Sequence, residues 1–227
     1  MWNDRTKLLL GEEGLSKLKS ASVAVIGIGG VGGWACEFLV RAGLGKLTIV
    51  DFDKIDETNI NRQIVANVET VGRNKVDVMA ENISKINSNC IVSKVNEKIC
   101  KENVEKILTM HKFDYVIDAI DNVTDKIELI CFCKSYGLNI ISAMGAGNRI
   151  GIPNFKVMDI YKTSNDGLAR VLRKKLRENG VTKLDVVISD AVGLKIDKRE
   201  QSVGSISYYP AMCGAVLSAY VIEKLTK

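Results

Sequence analysis

Proline and histidine are almost absent from this chain. Two prolines among 227 residues leave few breaks, and no stretch rich in proline, glycine or serine marks a linker, so nothing in the composition divides the chain into separately tethered domains. No segment repeats, which sets solenoids and propellers aside. The one histidine, His111, precedes Lys112-Phe113-Asp114 near the end of a predicted helix and reads as structural or exposed. Six cysteines (Cys36, Cys90, Cys100, Cys131, Cys133 and Cys213) include no Cys-x-x-Cys pair, so neither a zinc clamp nor a redox couple is signalled and scattered reduced thiols are expected. Long apolar runs are missing as well. The N-terminus, Met1-Trp2-Asn3-Asp4-Arg5, is polar, and the most apolar C-terminal stretch, Ala211 to Ile222, is too short and too soon charged to span a bilayer. The expectation is a cytoplasmic protein with no membrane partner.

What is present is enough apolar content, 46%, for one enzyme-sized core. The formal charge of +5 permits an RNA partner without requiring one, since a solvated surface accounts for it equally well. A short amphipathic helix over about Glu12 to Lys19 precedes an apolar run, Ser22 to Ile26. After a glycine cluster, a helix carries Trp34, Ala35, Phe38 and Leu39 inward and stops at Gly43. A polar helix from about Lys75 to Ile86 follows, then strands near Ile91 to Val95, Tyr115 to Asp118 and Ile140 to Ala143, with helices before and after the middle one. Beyond Met144 the pattern changes: strands over Phe155 to Ile160 and Asp185 to Ser189, and helices over about Asp166 to Asn179 and Ala211 to Leu225. Apolar strands alternating with helices predict an α/β, Rossmann-like fold, a largely parallel sheet with helices on both faces and an antiparallel C-terminal extension. One domain is expected over 1–227, with a nucleotide-binding half at about 20–145 and a substrate-side half at about 146–227.

The glycines carry the first functional signal. Gly27-Ile28-Gly29-Gly30-Val31-Gly32 closes the first strand, and the second, Leu47 to Val50, ends in Asp51. Gly27, Gly29, Gly30 and Gly32 let backbone approach phosphates at a helix N-terminus, and Asp51 is placed to hold a ribose. The following loop holds Asn59 and Arg62, three apart and so on one face of a helical turn, then Gln63; Lys75 lies one helix further on, and Asp118-Ala-Ile-Asp121-Asn122 closes a strand at the ligand crevice of an open sheet.

At these residues the chain resembles the ThiF/HesA/MoeB family of adenylating enzymes, relatives of ubiquitin-activating enzymes. The matching pattern is Gly-x-Gly-Gly-x-Gly, Asp51, Asn59-x-x-Arg62-Gln63, Lys75 and Asp121-Asn122. The resemblance implies that Asp51 binds the ribose of ATP, that the glycine turn lies against phosphates, that Asn59, Arg62 and Lys75 contact the triphosphate, and that Asp121 holds magnesium. Arg5 matches an N-terminal arginine that in this family reaches the ATP of the partner subunit, which implies a homodimer.

Within the family, Ser142 to Asn148, Asp159 to Thr163, Leu168 to Leu176 and Val203 to Ile206 resemble the tRNA threonylcarbamoyladenosine dehydratase branch. That branch implies ATP-dependent cyclisation of threonylcarbamoyladenosine in tRNA through carboxylate adenylation. A sulfur-relay protein is a further partner the branch allows. An ionised carboxylate, with a pKa of about 4, needs positioning and charge neutralisation rather than a general base. A nucleophile already tethered in the substrate can replace an enzyme thiol. Cys131, Cys133 and Cys213 accordingly read as packing. The helix around Leu168 to Arg177 sets Leu168, Leu172 and Leu176 on one face and Arg170, Arg173, Lys174 and Arg177 on the other, a cationic face suited to RNA phosphates or simply to solvent. Two features depart from the branch: Gly151-Ile152-Pro153-Asn154 with Asp166-Gly167-Leu168, and a short segment between Ala191 and Val203. The alternatives are an adenylyltransferase for a ubiquitin-like sulfur carrier and, in another class, a nicotinamide-dependent dehydrogenase or non-catalytic nucleotide scaffold. A dinucleotide needs no set like Arg62, Lys75 and Asp121.

Overall fold

Short apolar runs become strands and the amphipathic stretches between them become helices. The computed structural model describes residues 2–194 and 203–227, so part of the short segment between Ala191 and Val203 lies outside the described residues. In chain order the elements are α1 (Asp4–Ser20), β1 (Ser22–Ile26), α2 (Gly32–Ala42), β2 (Lys46–Val50), α3 (Lys75–Ile86), β3 (Ile91–Val95), α4 (Val104–Thr109), β4 (Tyr115–Asp118), α5 (Val123–Tyr136), β5 (Ile140–Ala143), β6 (Phe155–Asp159), α6 (Gly167–Glu178), β7 (Asp185–Ser189) and α7 (Tyr208–Thr226). The strands form one sheet in the order β3-β2-β1-β4-β5-β7-β6. Every neighbouring pair is parallel except β6 and β7. The C-terminal extension is therefore antiparallel only at its edge strand, because β7 returns through α6 to lie parallel to β5.

Central strands are buried on both faces, and their side chains sort alternately into two apolar layers, as the two-residue period of a strand requires. Val23 and Val25 of β1 join Ile49, Ile117, Leu39, Met79 and Leu217 under α2, α3 and α7. Ala24 and Ile26 join Val50, Val116, Leu129, Ile130 and Leu172 under α4, α5 and α6. The face beneath α2, α3 and α7 and the face beneath α4, α5 and α6 thus have separate cores meeting at the sheet.

Some expectations change in detail. The first helix runs from Asp4 to Ser20 with a kink at Gly11, where φ is 71°, so two helical pieces abut where the apolar period showed only the second. On α2 it is Ala35, Cys36, Leu39 and Val40 that are buried, not the pair Trp34 and Phe38. Those rings lie against each other with centroids 6.0 Å apart, and Phe38 is 36% exposed. The last helix starts at Tyr208, three residues early, because Pro210 sits in its first turn, where no intrahelical N–H is required.

The chain narrows to backbone at one crossing. A Cβ on Gly32 would stand 1.8 Å from the Gly27 carbonyl oxygen, and one on Gly27, where φ is +90°, would stand 2.8 Å from the Ala119 carbonyl oxygen. Replacing Gly32 by alanine is therefore expected to lower the unfolding free energy by about 1–3 kcal/mol or prevent folding. Urea denaturation reads this, with Gly29→Ala as the contrast: its Cβ meets only Gln63 Nε2 at 4.0 Å, and its stability should stay within about 0.5 kcal/mol of the parent chain.

Candidate functional site

The C-terminal ends of β1, β2 and β4 and the segments that follow them open into a cleft of about 830 Å³. Its walls hold Gly27, Gly29, Gly30, Asp51, Asn59, Arg62, Gln63, Lys75 and Asp121, so the spaced polar pattern read from the sequence converges on one place. Gly32 does not line the cleft. Its role is the tight passage behind the turn.

Asp51 is buried and acts first on the protein itself. Its Oδ2 accepts from the Ile28 N–H at 2.6 Å and its Oδ1 from the Asp53 N–H at 2.8 Å, tying the glycine turn to the loop after β2. Burial pushes its carboxyl above the ordinary carboxylate value, while Lys75 and these two N–H groups pull it back. Each oxygen keeps acceptor capacity for a hydroxyl pair. The loop beyond is stiffened by a capping box: the Asp56 side chain accepts from Thr58 N–H, and Asn59 Oδ1 accepts from the Asp56 N–H at 3.1 Å. Arg62 Nη1 donates to the Thr58 carbonyl at 2.8 Å and to Asn61 Oδ1 at 2.9 Å. Lys75, itself buried, pairs with Asp53 Oδ2 at 2.7 Å. Gln63 is buried, and its Oε1 has no hydrogen-bond donor among the described residues, which leaves its acceptor capacity unspent.

Behind the cleft lies a network that the sequence did not display. Lys126 and Asp118 are both fully buried; Lys126 Nζ donates to Asp118 Oδ1 at 3.0 Å and to the Ile120 carbonyl at 2.8 Å. Asp118 also accepts from the Ser142 hydroxyl at 2.6 Å and from the Ile120 N–H at 3.1 Å. These bonds curl residues 118–121 so that Asp121 faces the cleft. A second buried pair, Arg149 with Asp166 at 2.9 Å, joins the loop after β5 to the N-cap of α6, while Arg149 also donates to the carbonyls of Gly145 and Ala191. Asn148, with φ of 54°, exchanges hydrogen bonds with Gly204 and accepts from the Leu194 N–H. Gly145, Gly147, Leu168, Val203 and Ser205 complete the far side of the cleft.

Other predicted residues lie elsewhere. Arg5 is exposed on α1 and outside the cleft of its own chain. Arg170, Arg173, Lys174 and Arg177 border a separate shallow groove on α6, whose start, Leu168, touches the cleft. Within that set Arg173 is committed inward, donating to Thr163, and Arg177 covers the Tyr161 ring at 5.1 Å. His111 is exposed and contacts Ser93 and the edge of Phe113. No cysteine lines the cleft. Burial raises the thiols of Cys36, Cys90, Cys131, Cys133 and Cys213, with Cys90 pushed up to about 11 and Cys133 and Cys213 to about 12. Thiols held that high are protonated at neutral pH and poor nucleophiles. Among the described residues no cluster of three or more acidic, histidine or cysteine side chains is arranged to hold a metal. Nor is any described helix long and apolar enough to cross a membrane.

Comparison with known proteins agrees with this geometry. The sequence profile of the ThiF family matches residues 4–227. The tRNA threonylcarbamoyladenosine dehydratase of Bacillus subtilis is 37% identical over 239 residues, which cover 98% of this chain and 94% of that protein. The crystal structure of the E. coli tRNA N6-threonylcarbamoyladenosine dehydratase, TcdA, in complex with AMP matches with a TM-score of 0.92 at 34% identity, covering 98% of this chain and 92% of that one. The same enzyme in complex with ATP gives a TM-score of 0.91 at 34% identity, with coverages of 98% and 93%.

The buried network generates a stability prediction. Lys126→Met leaves Asp118 charged, buried and short of its cation, and should lower the unfolding free energy by about 3–5 kcal/mol. Equilibrium unfolding in urea measures the loss. A change below about 1 kcal/mol would mean that the pair contributes little.

Proposed function

Because the chain belongs to the ThiF family, we propose that it is an ATP-dependent adenylating enzyme that cyclises threonylcarbamoyladenosine in tRNA, with AMP and pyrophosphate as by-products. The observation that carries this reading is the convergence of Asp51, Arg62, Gln63, Lys75 and Asp121 on one cleft that no cysteine enters. We take residues 1–227 as one adenylating unit, with the nucleotide held by about 20–145 and the substrate met by about 146–227.

The work assigned to each residue follows from its chemistry. Asp51 accepts from the ribose hydroxyls while keeping the glycine turn in place. The backbone of Gly27, Gly29 and Gly30 and the N-terminus of α2 face the phosphates. Asn59, Arg62 and Lys75 contact the triphosphate; Arg62 and Lys75 neutralise it, Lys75 by turning part of its charge from Asp53 to a phosphate oxygen. Asp121 is a single carboxylate at the rim, which suits magnesium, an ion commonly held by one or two carboxylates and otherwise by phosphate oxygens and water. When bound, that ion offsets charge on the phosphates. The threonyl carboxylate then attacks the α-phosphorus and pyrophosphate leaves. The substrate's own carbamoyl group displaces AMP from the acyl-adenylate and closes the ring, with net loss of water. Ring closure within one molecule gains its rate from proximity, so the enzyme needs no thiol.

The active form is proposed as a cytoplasmic homodimer in which Arg5 reaches the partner subunit's nucleotide. The cationic groups of α6 left free for solvent, Arg170 and Lys174, and the ring-stacked Arg177 are proposed to meet RNA phosphates; Arg173, tied to Thr163, shapes that surface from within. A sulfur-relay protein is a proposed further partner. Adenylation of a ubiquitin-like sulfur carrier is less well supported, because the thiols of this chain lie outside the cleft.

Incubation with ATP, magnesium and tRNA bearing threonylcarbamoyladenosine, followed by mild digestion and mass spectrometry, should show the nucleoside losing one water. Arg62→Ala and Asp121→Ala should each lower kcat/KM by about 100-fold or more. Gly29→Ala should weaken ATP binding without lowering stability, since its added methyl lies where phosphate must approach. An unchanged nucleoside, together with AMP-forming exchange on a carrier ending in Gly-Gly, would overturn the assignment.

A further inference from the structure

The cleft has a charged wall that none of the roles above employs. Arg62, Gln63 and Lys75 belong to elements packed on the α2 and α3 face of the sheet, and so does the N-terminus of α2. Across the strand ends, on the α4 and α5 face, the cleft is lined by Glu97, Lys98, Ile99, Ile120, Asn122 and Asp125. With the phosphates on the cationic side, the ribose at Asp51 and the far side of the cleft given to the substrate, a nucleotide has this opposite wall left for its base. Ile99 and Ile120 supply apolar surface for the faces of a ring.

The polar edge of that wall is an ion pair. Asp125 lies in the first turn of α5, with its side chain 9% exposed, and its Oδ2 stands 2.9 Å from Lys98 Nζ. The Lys98 ammonium engages that oxygen, which is sealed from solvent. No described residue donates a hydrogen bond to the other oxygen, Oδ1. A carboxylate oxygen that a largely buried side chain leaves open at a cleft wall, with spare acceptor capacity, is a recognition element when a donor arrives.

Resting on the nucleotide reading above, we propose that Asp125, steadied by Lys98, determines base specificity by accepting a hydrogen bond from the exocyclic amine of adenine. The 6-position edge of adenine sets a donor amine beside an acceptor ring nitrogen, the complement of an acceptor carboxylate beside a donor ammonium. Guanine presents the reverse order, and a purine with hydrogen at C6 has nothing to donate.

The test is a binding cycle on the full chain, by calorimetry, using ATP, GTP and purine riboside triphosphate, the analogue without the 6-amino group. The parent chain should bind ATP about tenfold or more tightly than the analogue, the value of a hydrogen bond to a charged group. Asp125→Ala should erase that gap by weakening ATP alone, and Lys98→Met should narrow it. Thermal melting accompanies each variant, and Asp125→Asn, which keeps shape and removes charge, replaces Asp125→Ala if that protein does not fold; it should at least halve the gap. Equal weakening of ATP and the analogue, or GTP binding tighter than ATP, overturns the proposal while leaving the nucleotide site standing. A parent chain that binds no ATP overturns the nucleotide reading and this inference with it.

Discussion

The cleft depends on a close crossing of backbone. The end of β1, the start of α2 and the segment after β4 pass so near one another that a Cβ at Gly32 would meet the Gly27 carbonyl at 1.8 Å and one at Gly27 would meet Ala119 at 2.8 Å. Side chains there would separate the two turns and remove the floor on which a ligand could rest. Of the turn's own N–H groups, that of Gly27 donates to the Val50 carbonyl and that of Ile28 to Asp51, which fixes the turn on its strand. Two carboxylates then lock it from below: Asp51 gathers the N–H groups of Ile28 and Asp53, and Asp118 gathers Ile120, Ser142 and Lys126. Buried acids are costly unless their charge is answered, and both are answered by donors that double as scaffold.

Charge in the cleft follows the two-layer build of the fold. Cations that suit phosphate rise from the loop after β2 and from α3, on one face; the Lys98–Asp125 pair rises from the other. A ligand must therefore lie across the strand ends, polyanion to one side and base to the other, because reversal would set phosphate oxygens against Asp125. The sheet order β3-β2-β1-β4 makes this possible, since the chain reverses direction at β1 and leaves a crevice between its crossovers. Arg62 and Lys75 thus stand on elements apart from the helix of Asp125, so a change at Asp125 need not disturb them.

Much of this was legible in the sequence, for physical reasons. Strands β4 and β7 begin and end where apolar runs meet polar residues, so their bounds read directly, and the glycines with Asp51, Arg62, Gln63 and Lys75 stand at spacings that rigid elements fold back onto one cleft. Three things did not read. Lys126 looks like any helix lysine, since its partners are an acid eight residues back and a carbonyl six back, brought close only by the curl after β4. Lys98 and Asp125 meet across two crossovers. Trp34 and Phe38 fit the apolar period of α2, yet α7 packs against Ala35 and the small residues of the turn. A Cβ on Gly214 would come within 2.5 Å of the Val31 carbonyl, so that approach leaves no room for large rings between the helices.

Thiol burial bears on chemistry as well as packing. An adenylating enzyme that passes its acyl group to another molecule benefits from a nucleophile of its own, because the acyl-adenylate would otherwise wait for a diffusing acceptor. An intramolecular acceptor removes that wait, and an effective concentration far above any cellular reactant replaces the intermediate thioester. A reactive cysteine beside the acyl-adenylate would then compete with ring closure and divert the product. Keeping Cys133 and Cys213 buried, raised to about 12 and away from the cleft is thus an arrangement that cyclisation favours, whereas transfer to a separate carrier favours the opposite. The fold that brings Arg62, Lys75 and Asp121 together would serve either reaction, and the placement of its thiols suits the intramolecular one.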